Sequence, residues 1–221
     1  MPSSGPIATT PDRTARSSRT EAGILEAARN LLAEGGKDAL SMRVVAERVG
    51  LSATAIYRYF DGKDDLVDHV VQGGYQRFGT YLLEATEAHA PGSLERIFAV
   101  GRAYIRFAFE NREYFRVLYT IQKPEPREMD QLPGGGGYAL LRGLVVDAIE
   151  AGAMRDADPD MVAHFLWTSV HGLVTLALAC KLESGAACPS RDDVPATPEL
   201  FDSFIPFLTE GLAVGNGKKA E

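Results

Sequence analysis

The 221-residue sequence predicts an all-α protein: an N-terminal three-helix domain built on a helix-turn-helix, then a larger helical domain. Three observations carry this expectation. Apolar residues recur at helical spacing along most of the chain, with no alternating strand pattern. Glycine pairs, single glycines and Asp-Pro steps divide that pattern into short helices before Leu66 and longer ones after it. The 45% apolar and 24% charged residues are the balance of a globular chain long enough to bury a real core.

Residues 1–18 are rich in Pro, Ser, Thr and Arg without periodicity, and read as a disordered arm. Either it is a frayed end, or Arg13, Arg16 and Arg19 touch phosphates or a minor groove. From Thr20 the sequence turns helical. Ile24, Leu25, Ala28, Leu31 and Leu32 form one apolar stripe, and Gly35-Gly36 stops the helix. Ser41 is an N-cap for a second helix with Val45, Ala46 and Val49 inside. Gly50 ends it, Leu51 points inward, and Ser52 caps a third short helix reaching Tyr59. Asp61 and Asp64 suggest a cap and an acidic first turn for a fourth helix.

The spacing from Arg43 to Phe60 meets the demands of a helix-turn-helix. Two helices crossing steeply need a small residue at their closest approach, here Ala46. They need a turn residue tolerant of positive φ, here Gly50, and an inner apolar set, here Val45, Val49, Leu51 and Ile56. In that geometry the second helix leads with its first residues into the major groove. Ala53 and Thr54 then meet base edges, a methyl for a thymine methyl and a hydroxyl for donor or acceptor. Ser52 and the amides around it form a phosphate site at a helix N-terminus. Tyr57 and Tyr59 offer hydroxyls to phosphates, while Ser41, Arg43 and Lys63 hold the backbone on either side. Phe60 reads as core.

The segment "ILEAARNLLAEGGKDALSMRVVAERVGLSATAIYRYFDGKDDL" resembles the TetR/AcrR family of bacterial transcriptional repressors. The resemblance covers residues 19–66. It implies that Ser41, Arg43, Ser52, Thr54, Tyr57, Tyr59 and Lys63 are DNA contacts. It also implies an all-helical regulatory domain, a homodimer, and a small molecule that releases the protein from a palindromic operator.

After Leu66 the pattern stays helical. Gly73-Gly74 weakens the first long helix, either as tolerated residues or as a joint between reading head and body. Two aromatic-rich helices follow from Ser93. The stretch from Lys123 to Gly137 reads as a loop, and its glycines lack the Lys-Ser/Thr of a phosphate loop. A helix from Tyr138 comes next, then a long one with Asp158 as cap and Pro159 at its first position. Pro206 kinks or offsets the last helix. "WTSVHG" from Trp167 resembles a Trp-x-x-x-His-Gly element of one subgroup of family C-terminal domains. By family architecture the last two helices pair with their twofold copies, and their apolar residues occupy more than one face. Tyr104, Phe107, Phe115, Tyr119, Trp167 and His171 are the residues best suited to line an apolar or amphipathic ligand's cavity; the alternative is that they fill the core. The expected division is therefore an arm at 1–18, a helix-turn-helix domain at 19–66, a ligand-binding and dimerisation domain at 67–215, and a tail at 216–221.

Several classes are set aside. Cys180 and Cys188 form no Cys-x-x-Cys pair, which argues against zinc knuckles and disulfide frameworks and fits a reducing cytoplasm. His164 and His171 lack further ligands at metal spacing, so no metal or cofactor is expected. No nucleophile elbow, His-Glu-x-x-His or dinucleotide glycine pattern marks an enzyme. The apolar run from Val162 to Cys180 is broken by His164, Ser169 and His171, and reads as a buried helix and not a membrane span. Residues 1–60 hold 8 basic and 6 acidic side chains, while residues 61–221 hold 15 and 24, so the two parts face different partners. Two rival readings remain at this level: a DNA-binding regulator without an effector, and a helical interaction module that binds no DNA.

Overall fold

A computed structural model describes residues 12–120, 137–182 and 197–212. Every regular element among them is a helix: α1 (Asp12–Ala39), α2 (Met42–Val49), α3 (Ala53–Ile56), α4 (Lys63–Glu87), α5 (Leu94–Glu110), α6 (Arg112–Thr120), α7 (Gly137–Glu150), α8 (Pro159–Leu182) and α9 (Thr197–Leu212). The expected loop before α7, Cys188 and the expected tail lie outside the described residues.

Helix α1 starts at Asp12, a correction to the expected disordered arm up to residue 18. No apolar stripe announces these roughly two extra turns, because residues 15–19 bury nothing and simply extend the helix that Ile24 onward anchors. The backbone leaves the helical path at Gly35 and Gly36, the latter at φ 66°, where glycine stops the helix as expected. Ser41 caps α2, its Oγ accepting from the Val44 amide at 3.2 Å. Gly50 closes α2 in the left-handed region at φ 68°, its N–H reaching back to Ala46 and Glu47 carbonyls. The Arg48 guanidinium meets both carboxylate oxygens of Glu34 at 3.1 and 3.2 Å, tying α2 to α1.

Two local expectations are corrected. Helix α3 is a single turn ending at Ile56, and residues 57–59 continue as tighter turns, with Tyr59 N–H donating to the Ile56 carbonyl at 2.9 Å. Asp61 does not cap α4. The helix begins at Lys63, so the cap position falls on Gly62, which has no side chain to offer. Instead the Asp61 amide donates to Asp65 Oδ2 at 2.9 Å, so a first-turn carboxylate reaches back to the chain before it.

The head packs α1, α2, α3 and the start of α4 around Ile24, Ala28, Leu32, Val45, Ile56, Phe60 and Leu66, all fully or almost fully buried. That core is continuous with the body's, and α6 packs against both α1 and α4. Helix α4 runs unbroken through Gly73-Gly74. A Cβ on Gly74 would stand 3.0 Å from Tyr114 Cδ1 and 3.1 Å from Leu118 Cδ2, so this glycine is where α6 presses onto α4. The Arg29 guanidinium of α1 lies 5.0 Å from the centre of the same Tyr114 ring. One buried residue, Asn111, stands between α5 and α6: it donates its Nδ2 to the Phe107 carbonyl of α5 at 3.3 Å and to the Tyr81 hydroxyl of α4 at 3.2 Å, and its carbonyl accepts from the Phe115 amide of α6 at 2.9 Å.

Helix α9 docks on α5 where Phe201 covers Gly101, and Arg102 Nε meets Asp202 Oδ1 at 2.7 Å. Its far end is held by the Arg155 amide donating to the Leu212 carbonyl at 2.8 Å. Pro206 lies inside α9, which continues past it. Asp158 Oδ1 accepts from the Asp160 amide at 2.9 Å and so caps α8, with Pro159 first in the helix as expected.

Candidate nucleic-acid interface and inner aromatic cluster

The turn chemistry of α2 and α3 decides what the head exposes. Ser41, Arg43, Ser52, Thr54 and Tyr57 are exposed, and Ala53, Tyr59 and Lys63 are half-buried. None of the eight residues predicted to face DNA is in the core, whereas Phe60 is almost fully buried, as expected. Tyr57 is the clearest case. It is 54% exposed although its neighbour Ile56 is sealed in the core. The Ser52 oxygen accepts from the Ala55 amide at 3.2 Å, which leaves the hydroxyl hydrogens of Ser52 and of the equally placed Ser41 to donate outward. A single-turn α3 has little dipole, so any phosphate affinity of Ser52 rests on that hydroxyl and not on the helix end. Arg43 lies 3.6 Å from Glu47, both strongly exposed; such a pair is weak and yields readily to a phosphate. The exposed Arg58, between the two tyrosines, was given no role by sequence reasoning. Its signal was only its place in the Tyr-Arg-Tyr run.

In the body, helical spacing brings α5, α6 and α8 together through their rings. Five of the six residues expected to line a cavity form one cluster: Tyr104, Phe115, Tyr119, Trp167 and His171. Phe115 and Tyr119 rings are 4.8 Å apart, Tyr119 and His171 4.7 Å, and Trp167 and His171 6.3 Å. The Tyr104 hydroxyl and His171 Nδ1 are 2.7 Å apart. Phe107 is not part of this group. It is fully buried and packs on Phe78 and Tyr81 with no ring contact to Phe115, Tyr119, Trp167 or His171, while Tyr104 and Phe115 belong both to the cluster and to the same buried core. Burial drives the Tyr104 phenol far above its ordinary pKa and pushes Tyr119 up to about 12. Burial also lowers His171, so the ring is neutral at pH 7. The cluster therefore offers polar tips without charge.

Toward the surface the rings continue through Tyr138 and His164. The Tyr138 hydroxyl is 2.7 Å from His164 Nδ1, and Arg142 grips Asp160 at 2.8 and 3.2 Å beside them. A concavity of about 380 Å³ between α4 and α5, floored by Ala85, Ala99 and Ala103 with Arg102 and Arg106 at its rim, contains none of the predicted residues. Among the described residues no three or more His, Cys, Asp or Glu side chains are placed to share a metal ion.

Helices α8 and α9 each leave an apolar stripe uncovered. On α8, Met161, Phe165, Thr168, Gly172 and Leu176 follow one face, with Met161 69% and Leu176 68% exposed. On α9, Leu200, Phe204, Phe207 and Gly211 do the same, and Phe207 is 74% exposed. Helix α8 is long and apolar enough to cross a membrane by length and composition, with 33% of that span buried. Patches of this kind on a globular chain mark association surfaces.

Comparison with known proteins agrees with this architecture. Residues 24–70 match the family model for bacterial regulatory proteins of the tetR family, and residues 97–194 match that for a tetracyclin repressor-like C-terminal domain. An HTH-type transcriptional regulator of Mycobacterium bovis is 28% identical over 133 residues, 60% of this chain and 56% of the relative. The HTH-type transcriptional repressor KstR of Rhodococcus jostii is 28% identical over 142 residues, 62% of this chain and 60% of its own. These matches thus span little more than half the length of the curated relatives. Among solved structures, a Rhodococcus sp. RHA1 protein of unknown function superposes with a TM-score of 0.71 at 26% identity, covering 88% of this chain and 96% of that one. A TetR family transcription regulator from Marinobacter aquaeolei has the same fold at a TM-score of 0.67 and 18% identity, over 90% and 98% of the two chains. Members of this family are transcription regulators and not enzymes. With a helix-turn-helix head and a matching helical body on one chain, this protein belongs to the TetR family of bacterial regulatory proteins.

Proposed function

We propose that the chain is a cytoplasmic, homodimeric DNA-binding repressor that occupies a palindromic operator and leaves it when a small apolar or amphipathic ligand enters the body. The observation that carries this reading is the head's outer face, where the eight predicted contacts all reach solvent while their neighbours Ile56 and Phe60 are buried. The repressor name of the Rhodococcus jostii relative supports the direction of control. The stripes on α8 and α9 support a twofold pairing, which sets two heads at half-sites about one helical turn or a multiple of it apart. Such pairing also suits α8 to an aqueous compartment, since a partner covers its apolar face. The aromatic cluster supports an effector site next to α6, the helix that touches both α4 and α1. A ligand acts there only by favouring one arrangement of the heads over another.

Selection of bound fragments from the source genome, followed by footprinting, tests the reading. An enriched palindrome is expected; no enrichment at any salt concentration rejects it. Contact roles separate by salt and sequence. Tyr57→Phe and Lys63→Ala should each weaken binding to every duplex, and Lys63→Ala should flatten the logarithmic salt slope by about 1. Wild-type affinity for all duplexes in Tyr57→Phe removes its phosphate role. Thr54→Ala should instead alter sequence preference, by about 1–3 kcal/mol at one base pair. An unchanged preference profile takes Thr54 out of base reading.

A further inference from the structure

The trench between α4 and α5 presents opposed charges that do not meet. Its floor is alanine on both sides, Ala85 and Ala88 from α4, Ala99 and Ala103 from α5. Side chains that stop at Cβ leave about 380 Å³ open between the two packed helices. Glu84 stands on the α4 wall and Arg106 on the α5 wall. Both are exposed, and among the described residues neither makes an ion pair. The Arg106 guanidinium is held 5.0 Å over the Tyr81 ring, whose hydroxyl is itself fixed by Glu110 at 2.6 Å and Asn111 at 3.2 Å. Tyr81 is less than one turn before Glu84 on α4, so the two charges share one end of the trench. Arg102, one turn before Arg106, gives its Nε to Asp202 of α9 at 2.7 Å and keeps its Nη groups for the trench. Helix α4 ends at Glu87, so last-turn carbonyls add partial negative charge to the Glu84 wall. Roughly twenty residues of α4, ~30 Å of helix, separate Glu84 from Lys63, which removes operator phosphates as occupants.

We infer that this trench binds a small zwitterion, an α-amino acid with an apolar side chain. Its carboxylate meets Arg106 and the Nη groups of Arg102, as planar guanidinium forks favour. Its ammonium meets Glu84 and the end of α4, and its side chain lies on the alanines. A ligand with one charge alone fits badly. A plain carboxylate leaves Glu84 unpaired beside it, and a plain amine is set against two guanidiniums. From Glu84 to His89, which marks the other end of the trench, α4 rises about 7 Å, a span that suits a leucine-sized body. The trench shares no residue with the aromatic cluster, so the inference is independent of the effector reading.

Magnetic resonance of the full chain, with alanine isotope-labelled in its methyl group, reads the trench directly, because Ala85, Ala88, Ala99 and Ala103 line it. The probes are L-leucine, 4-methylpentanoate, which lacks the ammonium, and 3-methylbutylamine, which lacks the carboxylate. Leucine should move these methyl signals saturably, while Ala28 and Ala46 in the head core stay still. Acid and amine should each bind about fivefold or more weakly, for the loss of one charged partner in a half-open site. Glu84→Gln should lower leucine to the affinity of 4-methylpentanoate, and Arg106→Gln to that of 3-methylbutylamine. Both positions are exposed, so the fold survives either change. Acid or amine binding as tightly as leucine overturns the inference. So do a leucine affinity unchanged in either variant, shifts confined to alanines outside the trench, and no saturable shift with any probe.

Discussion

Phe165→Glu combined with Phe207→Glu is expected to yield a folded monomer that has lost operator affinity by about 10²-fold or more at physiological salt. Both rings stand on exposed stripes of α8 and α9 and make little of the monomer's own core, so glutamate there leaves the fold intact. In the twofold pair proposed above the same positions face their copies, and each substitution places like charges in a desolvated contact. Loss of pairing uncouples the two heads, so the second half-site no longer binds at a high effective concentration. Sedimentation equilibrium and operator titration, with circular dichroism as the check on folding, decide the matter. A variant that still sediments as a dimer places the interface elsewhere, and a monomer with undiminished operator affinity means one head suffices.

Gly74→Val is expected to destabilise the protein by about 1–3 kcal/mol, the usual cost of overpacking, and to lower Tm by several degrees. The first added carbon already stands 3.0–3.1 Å from Tyr114 and Leu118, and valine's two further methyls must displace α6. Gly73→Ala supplies the contrast. Its Cβ would meet only the Tyr114 hydroxyl at 3.7 Å, an ordinary contact, so alanine should stabilise the helix by up to about 1 kcal/mol. Thermal melts of the two variants separate a packing role from a hinge role. If the pair were a hinge, both substitutions would stiffen α4, both would raise Tm, and both would blunt ligand-driven release.

That contrast shows where sequence reading stops. Ser41, Gly50 and Ser52 were legible because caps and left-handed turns are settled within four residues of chain. The exposure of Ser41, Arg43, Ser52, Thr54 and Tyr57 followed from the same local rules. Gly74 was not legible: its purpose lies in Tyr114 and Leu118, forty residues on, and nothing local distinguishes close approach from tolerance. Phe107 looked like its neighbours in composition; it shares the Phe78 ring with Tyr104, one turn away on α5, and only its packing on Tyr81 instead of Phe115 and Tyr119 separates the two. Asp61 was misassigned because moving the helix start by one residue turns a capping position into an ordinary one. The extension of α1 to Asp12 was missed because a solvated helix leaves no periodic trace.

Asn111 has a use beyond architecture. Its side-chain amide bonds the Tyr81 hydroxyl of α4 and the Phe107 carbonyl of α5, while its backbone carbonyl accepts from the Phe115 amide of α6. Any swing of α5 against α4 must lengthen one of the two side-chain bonds. The two Nδ2 protons of this residue should therefore resonate apart from those of solvated asparagines and exchange slowly with deuterium. They form a natural magnetic gauge of the α4–α5 contact, readable in solution.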